Sequence, residues 1–71
     1  MKLTYDQTVN AAYLYVREPA GDYGPMSTVC LADPELPGSI NLDFGFDEKL
    51  VGIEFLSAGE LLPESLLQSA S

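Results

Sequence analysis

The feature that most constrains this chain is a pair of alternating runs on either side of Asp47-Glu48-Lys49. Ile40, Leu42, Phe44 and Phe46 alternate with Asn41, Asp43 and Gly45, and Val51, Ile53 and Phe55 alternate with Gly52 and Glu54. A period of two belongs to a strand with one face buried and the other wet. Two such runs this close in sequence predict an antiparallel hairpin over Ile40–Leu56, and parity sets its register. Pairing Phe46 with Val51 places Phe44 on Ile53 and Leu42 on Phe55, with all six on one side. A slip of one residue would turn one strand inside out. Neither Glu48 nor Lys49 is the Gly or Asn that a tight type I′ turn prefers, so a longer type I-like connection over Asp47–Leu50 is expected. The same register puts Asp43 directly opposite Glu54 on the other face.

Turn-forming clusters at Asp6–Asn10, Glu18–Pro25, Asp33–Ser39 and Asp47–Lys49 leave five segments of strand character. These are Lys2–Tyr5, Ala11–Arg17, Met26–Ala32, Ile40–Phe46 and Leu50–Leu56. In the first two, Leu3 and Tyr5 oppose Leu14 and Ala12 across the loop Gln7–Asn10, leaving Lys2 and Thr4 opposite Tyr15 and Tyr13 on the other face. In the third, Val29 and Leu31 compete with Met26, Cys30 and Ala32 for the inward side, and Val29 and Leu31 are preferred. After Leu56 the pattern changes. Ser57 followed by Glu60 is a capping-box signature, and Pro63 cannot sit deep in a helix. One helical turn near Ala58–Leu62 and a second short helix over Glu64–Ser69 are expected, laying Leu61, Leu62, Leu66 and Leu67 across the apolar face. The predicted fold class is α+β: a small, mostly antiparallel, meander-like sheet of four to five strands with one or two short C-terminal helices. It forms a single domain over 1–71, ordered to about residue 68, with the Ser-rich end Ser65–Ser71 frayed.

A domain of 71 residues buries only about 60% of the surface its unfolded chain exposes, so some additional staple is expected. One cysteine excludes an intrachain disulfide. With no histidine, the four or so ligands of a structural zinc are not available either. Good packing or self-association remains, and a hydrophobic content of 46% suits a homodimer. Eleven acidic residues against Lys2, Arg17 and Lys49 leave a net charge of −8. Nucleic acid needs a basic footprint, and an anionic membrane surface attracts basic segments, so both are disfavoured as partners. A basic protein partner fits the charge, as does the plainer role of keeping a small apolar protein soluble. The first residues lack the apolar run of a signal peptide, no stretch approaches a membrane span of ~20 residues, and a lone cysteine fits a reducing compartment. The expectation is a cytoplasmic protein.

The opening Met-Lys-Leu-Thr-Tyr-Asp, then Asn10-Ala11-Ala12-Tyr13-Leu14-Tyr15-Val16, and later Leu50-Val51-Gly52-Ile53-Glu54-Phe55-Leu56-Ser57-Ala58 resemble the YuzE-like family (DUF2283) of small bacterial proteins of unknown function. The likeness runs in order over about residues 1 to 62. It departs in the turn at Asp47-Glu48-Lys49, which is shorter than the family's and has no glycine. It departs again in the longer, proline-richer stretch from Pro19 to Pro37. What the resemblance implies is a similar fold, no assigned catalytic residues, and a likeness to the acidic half of toxin–antitoxin pairs.

Chemistry has few footholds. Cys30 is the only thiol, with no histidine to activate it or any serine, and a strand cysteine is most simply a small buried hydrophobe. No enzyme activity and no cofactor are therefore expected. Asp43 and Glu54 form a candidate cation or ligand site, because like charges directly opposed are destabilising and a divalent cation would relieve them. Arg17, Lys2 or plain solvation would do the same. Tyr13 and Tyr15, with Leu56 on the same side, form a candidate interface, since tyrosine combines an apolar body with a polar tip. Packing on a second copy and partial cover by the loop carrying Tyr23 are the two ways to protect that face. Lys2 beside Tyr15 is placed for a cation–π contact. The loop Glu18–Pro25 matches neither phosphate-loop spacing. Two functions follow: a non-enzymatic, dimeric interaction module binding a basic partner in the manner of an antitoxin, or a small-ligand or divalent-cation-binding protein using Asp43 and Glu54.

Overall fold

The computed structural model describes residues 1–24 and 26–71. Pro25, the last residue of the second turn cluster, lies outside the described residues. Five strands, β1 (Lys2–Asp6), β2 (Ala11–Tyr15), β3 (Ser27–Leu31), β4 (Ser39–Phe44) and β5 (Leu50–Leu56), form one antiparallel sheet in the order β1-β2-β5-β4-β3. Two short helices, α1 (Ala58–Leu61) and α2 (Glu64–Gln68), follow. The hairpin β1-β2 and the meander β3-β4-β5 are joined where β5 pairs with β2, which makes the last strand the central one. Its Val51 and Gly52 are buried.

The first hairpin has the expected register, with Leu3 on Leu14 and Tyr5 on Ala12. The β4–β5 hairpin is shifted by two residues from expectation: Leu42 pairs with Ile53 and Ile40 with Phe55. An even shift keeps Ile40, Leu42, Ile53 and Phe55 on their expected face and changes only their partners. Asp43 now opposes Gly52, and Glu54 opposes Asn41. The turn explains the shift. The Glu48 N–H donates to the Gly45 carbonyl and the Gly45 N–H to the Lys49 carbonyl, both at 2.9 Å, and Glu48 takes a left-handed φ of 64°. A turn followed by a left-handed residue is a common longer hairpin connection, but here its corner is Phe46-Asp47. Leu50 and Val51 then both oppose Phe44 in a bulge. Phe46 is therefore not a core residue; it stands at the turn, 80% exposed.

Two apolar rows cross the whole sheet on one face: Leu3, Leu14, Ile53, Leu42 and Val29, then Tyr5, Ala12, Phe55, Ile40 and Leu31. The helices cover only the end of this face beside Asn10 and Leu56. α1 packs on β2, and Ala58 is fully enclosed. The expected capping box does not form, because Ser57 is left-handed and its side chain caps nothing. Asn10, itself at φ 55°, caps α1 from the β1–β2 loop instead. Its carbonyl accepts from the Ala58 N–H at 2.9 Å. Its Oδ1 accepts from the Gly59 N–H at 2.8 Å, and its Nδ2 donates to Glu60 at 2.9 Å. Past α2 the Ser-rich end is tied down rather than loose: the Ser71 N–H donates to the Leu3 carbonyl and its carbonyl accepts from the Tyr5 N–H. Leu66 is exposed and does not join the lid.

The β3 side is left uncovered. Every residue of β3 is exposed, with Val29 at 49% and Leu31 at 44%. Cys30 is exposed too, so the edge position overrides the expectation that it would be buried. Among the described residues no buried side chain is larger than that of Val51. The molecule is a slab of 32 × 28 × 17 Å, a sheet with part of a second layer. Its accessible surface of 4789 Å² exceeds the about 4300 Å² expected of a compact 7.7 kDa monomer. Its radius of gyration of 12.4 Å likewise exceeds the expected value of about 11 Å.

Candidate functional site

Aspartate is a poor strand residue and a good turn residue, because its carboxylate can accept from the backbone two positions on. Four of the five aspartates do this: Asp6 accepts from the Thr8 N–H, Asp22 from Gly24, Asp33 from Glu35 and Asp47 from Lys49, at 2.8–3.1 Å. Much of the acidity of the chain is thus loop architecture. The exception is Asp43, the last residue but one of β4.

Asp43 belongs to a row on the second face that runs Lys2, Tyr15, Gly52, Asp43 and Thr28 from edge to edge. Its Oδ1 accepts from the Thr28 hydroxyl on β3 and its Oδ2 from the Tyr13 hydroxyl on β2, each at 2.6 Å. The second bond spans β5. It is possible because Gly52 has no side chain: a Cβ there would collide with the Tyr13 ring. Loss of solvent around the Tyr13 phenol, and then its bond to the Asp43 carboxylate, push its pKa well above the usual tyrosine range. Tyr13 therefore stays a proton donor.

Glu54 faces Tyr13 on one side and Asn41 on the other, and accepts from Asn41 Nδ2 at 2.8 Å. The shifted register means that the two candidate carboxylates are not directly opposed, and each accepts from neutral donors. Arg17 compensates neither. It forms a two-pronged pair with Asp47, at 3.0 Å for both bonds. That bond and the Lys49 N–H hold the Asp47 carboxyl below the usual range, and Asp47 holds Arg17 above its own.

The Arg17 guanidinium also lies 4.3 Å from the centroid of the Tyr23 ring, the cation–π contact expected of Lys2 and Tyr15. Tyr23 is fixed by its hydroxyl donating to the Glu18 carbonyl at 2.6 Å and its carbonyl accepting from the Phe46 N–H at 2.8 Å. Side chains at Gly21 or Gly45 would crowd it. The loop so formed stands beside Tyr13 and Tyr15, whose rings are 4.7 Å apart and tilted by 53°. Between loop and sheet lies a cleft of about 360 Å³ that includes Tyr13, Tyr15, Tyr23, Met26 and Asp43. Leu56 is not part of it. It stands, exposed, at the other end of β5, opposite Ala11 and Ser39.

Residues 2–58 match the family described as "Protein of unknown function (DUF2283)". The chain belongs to the DUF2283 family. The match covers all five strands and ends at Ala58, so the DUF2283 sheet carries the whole cleft while α2 lies beyond the match. It is consistent with the YuzE-like resemblance of the strand motifs. No curated protein and no solved structure matches the chain. Among the described residues no helix of this DUF2283 protein is long and apolar enough to cross a membrane. Nor do three or more cysteine or acidic side chains gather there to hold a metal ion.

Sequence reasoning singled out Tyr13, Tyr15 and Asp43, and the fold brings all three together. It also named the loop carrying Tyr23 as a partial cover for Tyr13 and Tyr15, where the structure places it, and it passed over Thr28 and the role of Gly52. A glycine inside a strand does signal close approach by another group, and Gly52 was legible in that sense. Thr28 carries no comparable mark.

Proposed function

We propose that this DUF2283 domain is a non-enzymatic interaction module that self-associates through its uncharged sheet face and offers its acidic surface to a basic protein partner. One observation carries the reading: the two apolar rows contain no charged residue and end on β3, an edge strand exposed along its whole length. Natural edges are usually blunted by lysine, proline or a cover. The β1 edge has Lys2 and the bonds to Ser71, whereas Ser27–Leu31 has neither charge nor proline. Domains normally bury an apolar face under a second layer, and here that layer is partial. A second copy is the occupant that fits. An uncharged apolar face can meet its own copy about a two-fold axis without charge repulsion, and the carboxylates of Asp43 and Glu54 lie on the opposite face, away from the contact. The net charge of −8 then remains available to attract a basic partner, as in the antitoxin-like reading.

Sedimentation equilibrium tests this. The native chain is expected at twice its 7.7 kDa mass, and Val29→Lys with Leu31→Lys is expected to return it to the monomer with its strand signal intact. A native chain that stays monomeric at high micromolar concentration would overturn the proposal. Binding of a basic partner is expected to weaken as salt rises, and salt-insensitive binding would remove the electrostatic half of the reading.

A further inference from the structure

The cleft between the Glu18–Gly24 loop and the sheet has a composition that neither the fold nor self-association requires. Three tyrosine rings, Tyr13, Tyr15 and Tyr23, line it with Met26 and the Asp43 carboxylate. Its other acidic lining residues are Glu18 and Asp22, and no lysine or arginine is among its described lining residues. Arg17 is not among them and is engaged by Asp47 and by the Tyr23 ring. Asp43 is oriented by two hydroxyl donors at 2.6 Å. These are neutral, so its negative charge has no counter-ion in the site. A carboxylate has room for about four acceptor contacts, and two hydroxyls leave the rest open.

Aromatic faces attract cations through the ring quadrupole, and a nearby carboxylate adds a charge-assisted hydrogen bond. A volume of about 360 Å³ lies at the small end of ligand-binding clefts. We propose that this cleft binds an organic cation of the alkylammonium class, with the Asp43 carboxylate and the ring faces of Tyr13, Tyr15 and Tyr23 taking the ammonium group and Met26 flanking the alkyl stem. The position of Gly52 follows from the same design, since it lets the Tyr13 ring lie flat over β5 and reach Asp43. The alkylammonium group has two possible sources, a free amine and a lysine side chain presented by a protein. The site recognises the chemistry they share.

The test is a ¹H–¹⁵N titration of the full chain with n-butylammonium chloride, beside 1-butanol and potassium chloride at matched concentration. Saturable shifts at Tyr13, Tyr15, Tyr23 and Asp43 are expected with butylammonium alone. Equal shifts with 1-butanol would show an apolar crevice, equal shifts with potassium a non-specific charge effect, and no shifts an empty claim; each overturns the proposal. Asp43→Asn is expected to weaken binding about ten-fold or more, the loss of one bond to a charged partner. Because Asp43→Asn also disturbs Tyr13 and Thr28, Tyr15→Leu serves as a second variant that keeps the apolar lining. It is expected to cost about two- to five-fold, and unchanged affinity there would remove the role of the rings. A blocked Gly-Lys-Gly tripeptide in a parallel titration separates the sources. Binding of the tripeptide assigns the site to a protein partner's lysine, and binding of butylammonium alone assigns it to a free amine. Neither variant changes Val29 or Leu31, on which self-association is argued, so failure here is distinct from failure of self-association.

Discussion

Gly52→Ala tests how the central strand organises the second face. Alanine normally favours a strand over glycine by about 0.5–1 kcal/mol, because glycine gives up more backbone freedom on folding. Here the new Cβ would overlap the Tyr13 ring at its hydroxyl end, so the ring must swing away from β5. The 2.6 Å bond from the Tyr13 hydroxyl to Asp43 is then lost. A hydrogen bond to a charged acceptor contributes about 1.5–3 kcal/mol, so the net expectation is a loss of about 1–2 kcal/mol despite the better strand residue. For a domain of this size each kcal/mol moves the midpoint by about 4–8 °C, giving a drop of about 5–15 °C in thermal unfolding followed by circular dichroism. The sign is expected to reverse in a Tyr13→Val background, where nothing crosses Gly52 and alanine becomes mildly stabilising. If Gly52→Ala costs the same in both backgrounds, the ring is not what requires the glycine, and the account of Asp43 given above is wrong.

Three further outcomes follow from the same geometry. Asn10→Ala is expected to cost about 1–2 kcal/mol in urea unfolding, because it removes the side-chain cap of α1 and leaves alanine in a left-handed conformation; a neutral result would mean that α1 is held by packing alone. Phe46→Ser is expected to change stability by less than about 0.5 kcal/mol, as an exposed turn residue does, whereas a core phenylalanine would cost about 3–5 kcal/mol. The pH dependence has a definite sign. The folded chain raises the Tyr13 pKa and so holds that proton more tightly than the unfolded chain does. Its contribution is complete below the unfolded value of about 10 and is lost as pH rises above it. Urea midpoints measured between about pH 8 and 11 should show this alkaline decline in the native chain and a smaller one in Tyr13→Phe.

The contrast between Phe44 and Phe46 shows why part of the structure was readable and part was not. Alternation identifies faces, because strand side chains alternate by geometry alone. The faces of Leu42, Asp43, Phe44, Ile53 and Glu54 were therefore legible. Alternation does not distinguish registers that differ by two, since each keeps every apolar residue on the same side. The choice fell to the turn, where a left-handed Glu48 and the bond from Glu48 to Gly45 place Phe46 at the corner. Local pattern likewise proposed Ser57 as the helix cap, whereas a residue far away in sequence, Asn10, holds that end.

By itself, then, the sequence determined five segments of strand character, the faces of all but the third, and the breaks at the proline- and glycine-bearing clusters. These depend on neighbours within a few residues and on the side-chain chemistry of single positions. Only the tertiary structure decided that β5 is central, that Asp43 sits among Tyr13, Thr28 and Gly52 rather than facing Glu54, and that Cys30 lies on an open edge. Each of those depends on which distant strand lies alongside. That adjacency is set by the combined fit of two rows of side chains and the four connections between the strands, which no single stretch of the chain contains.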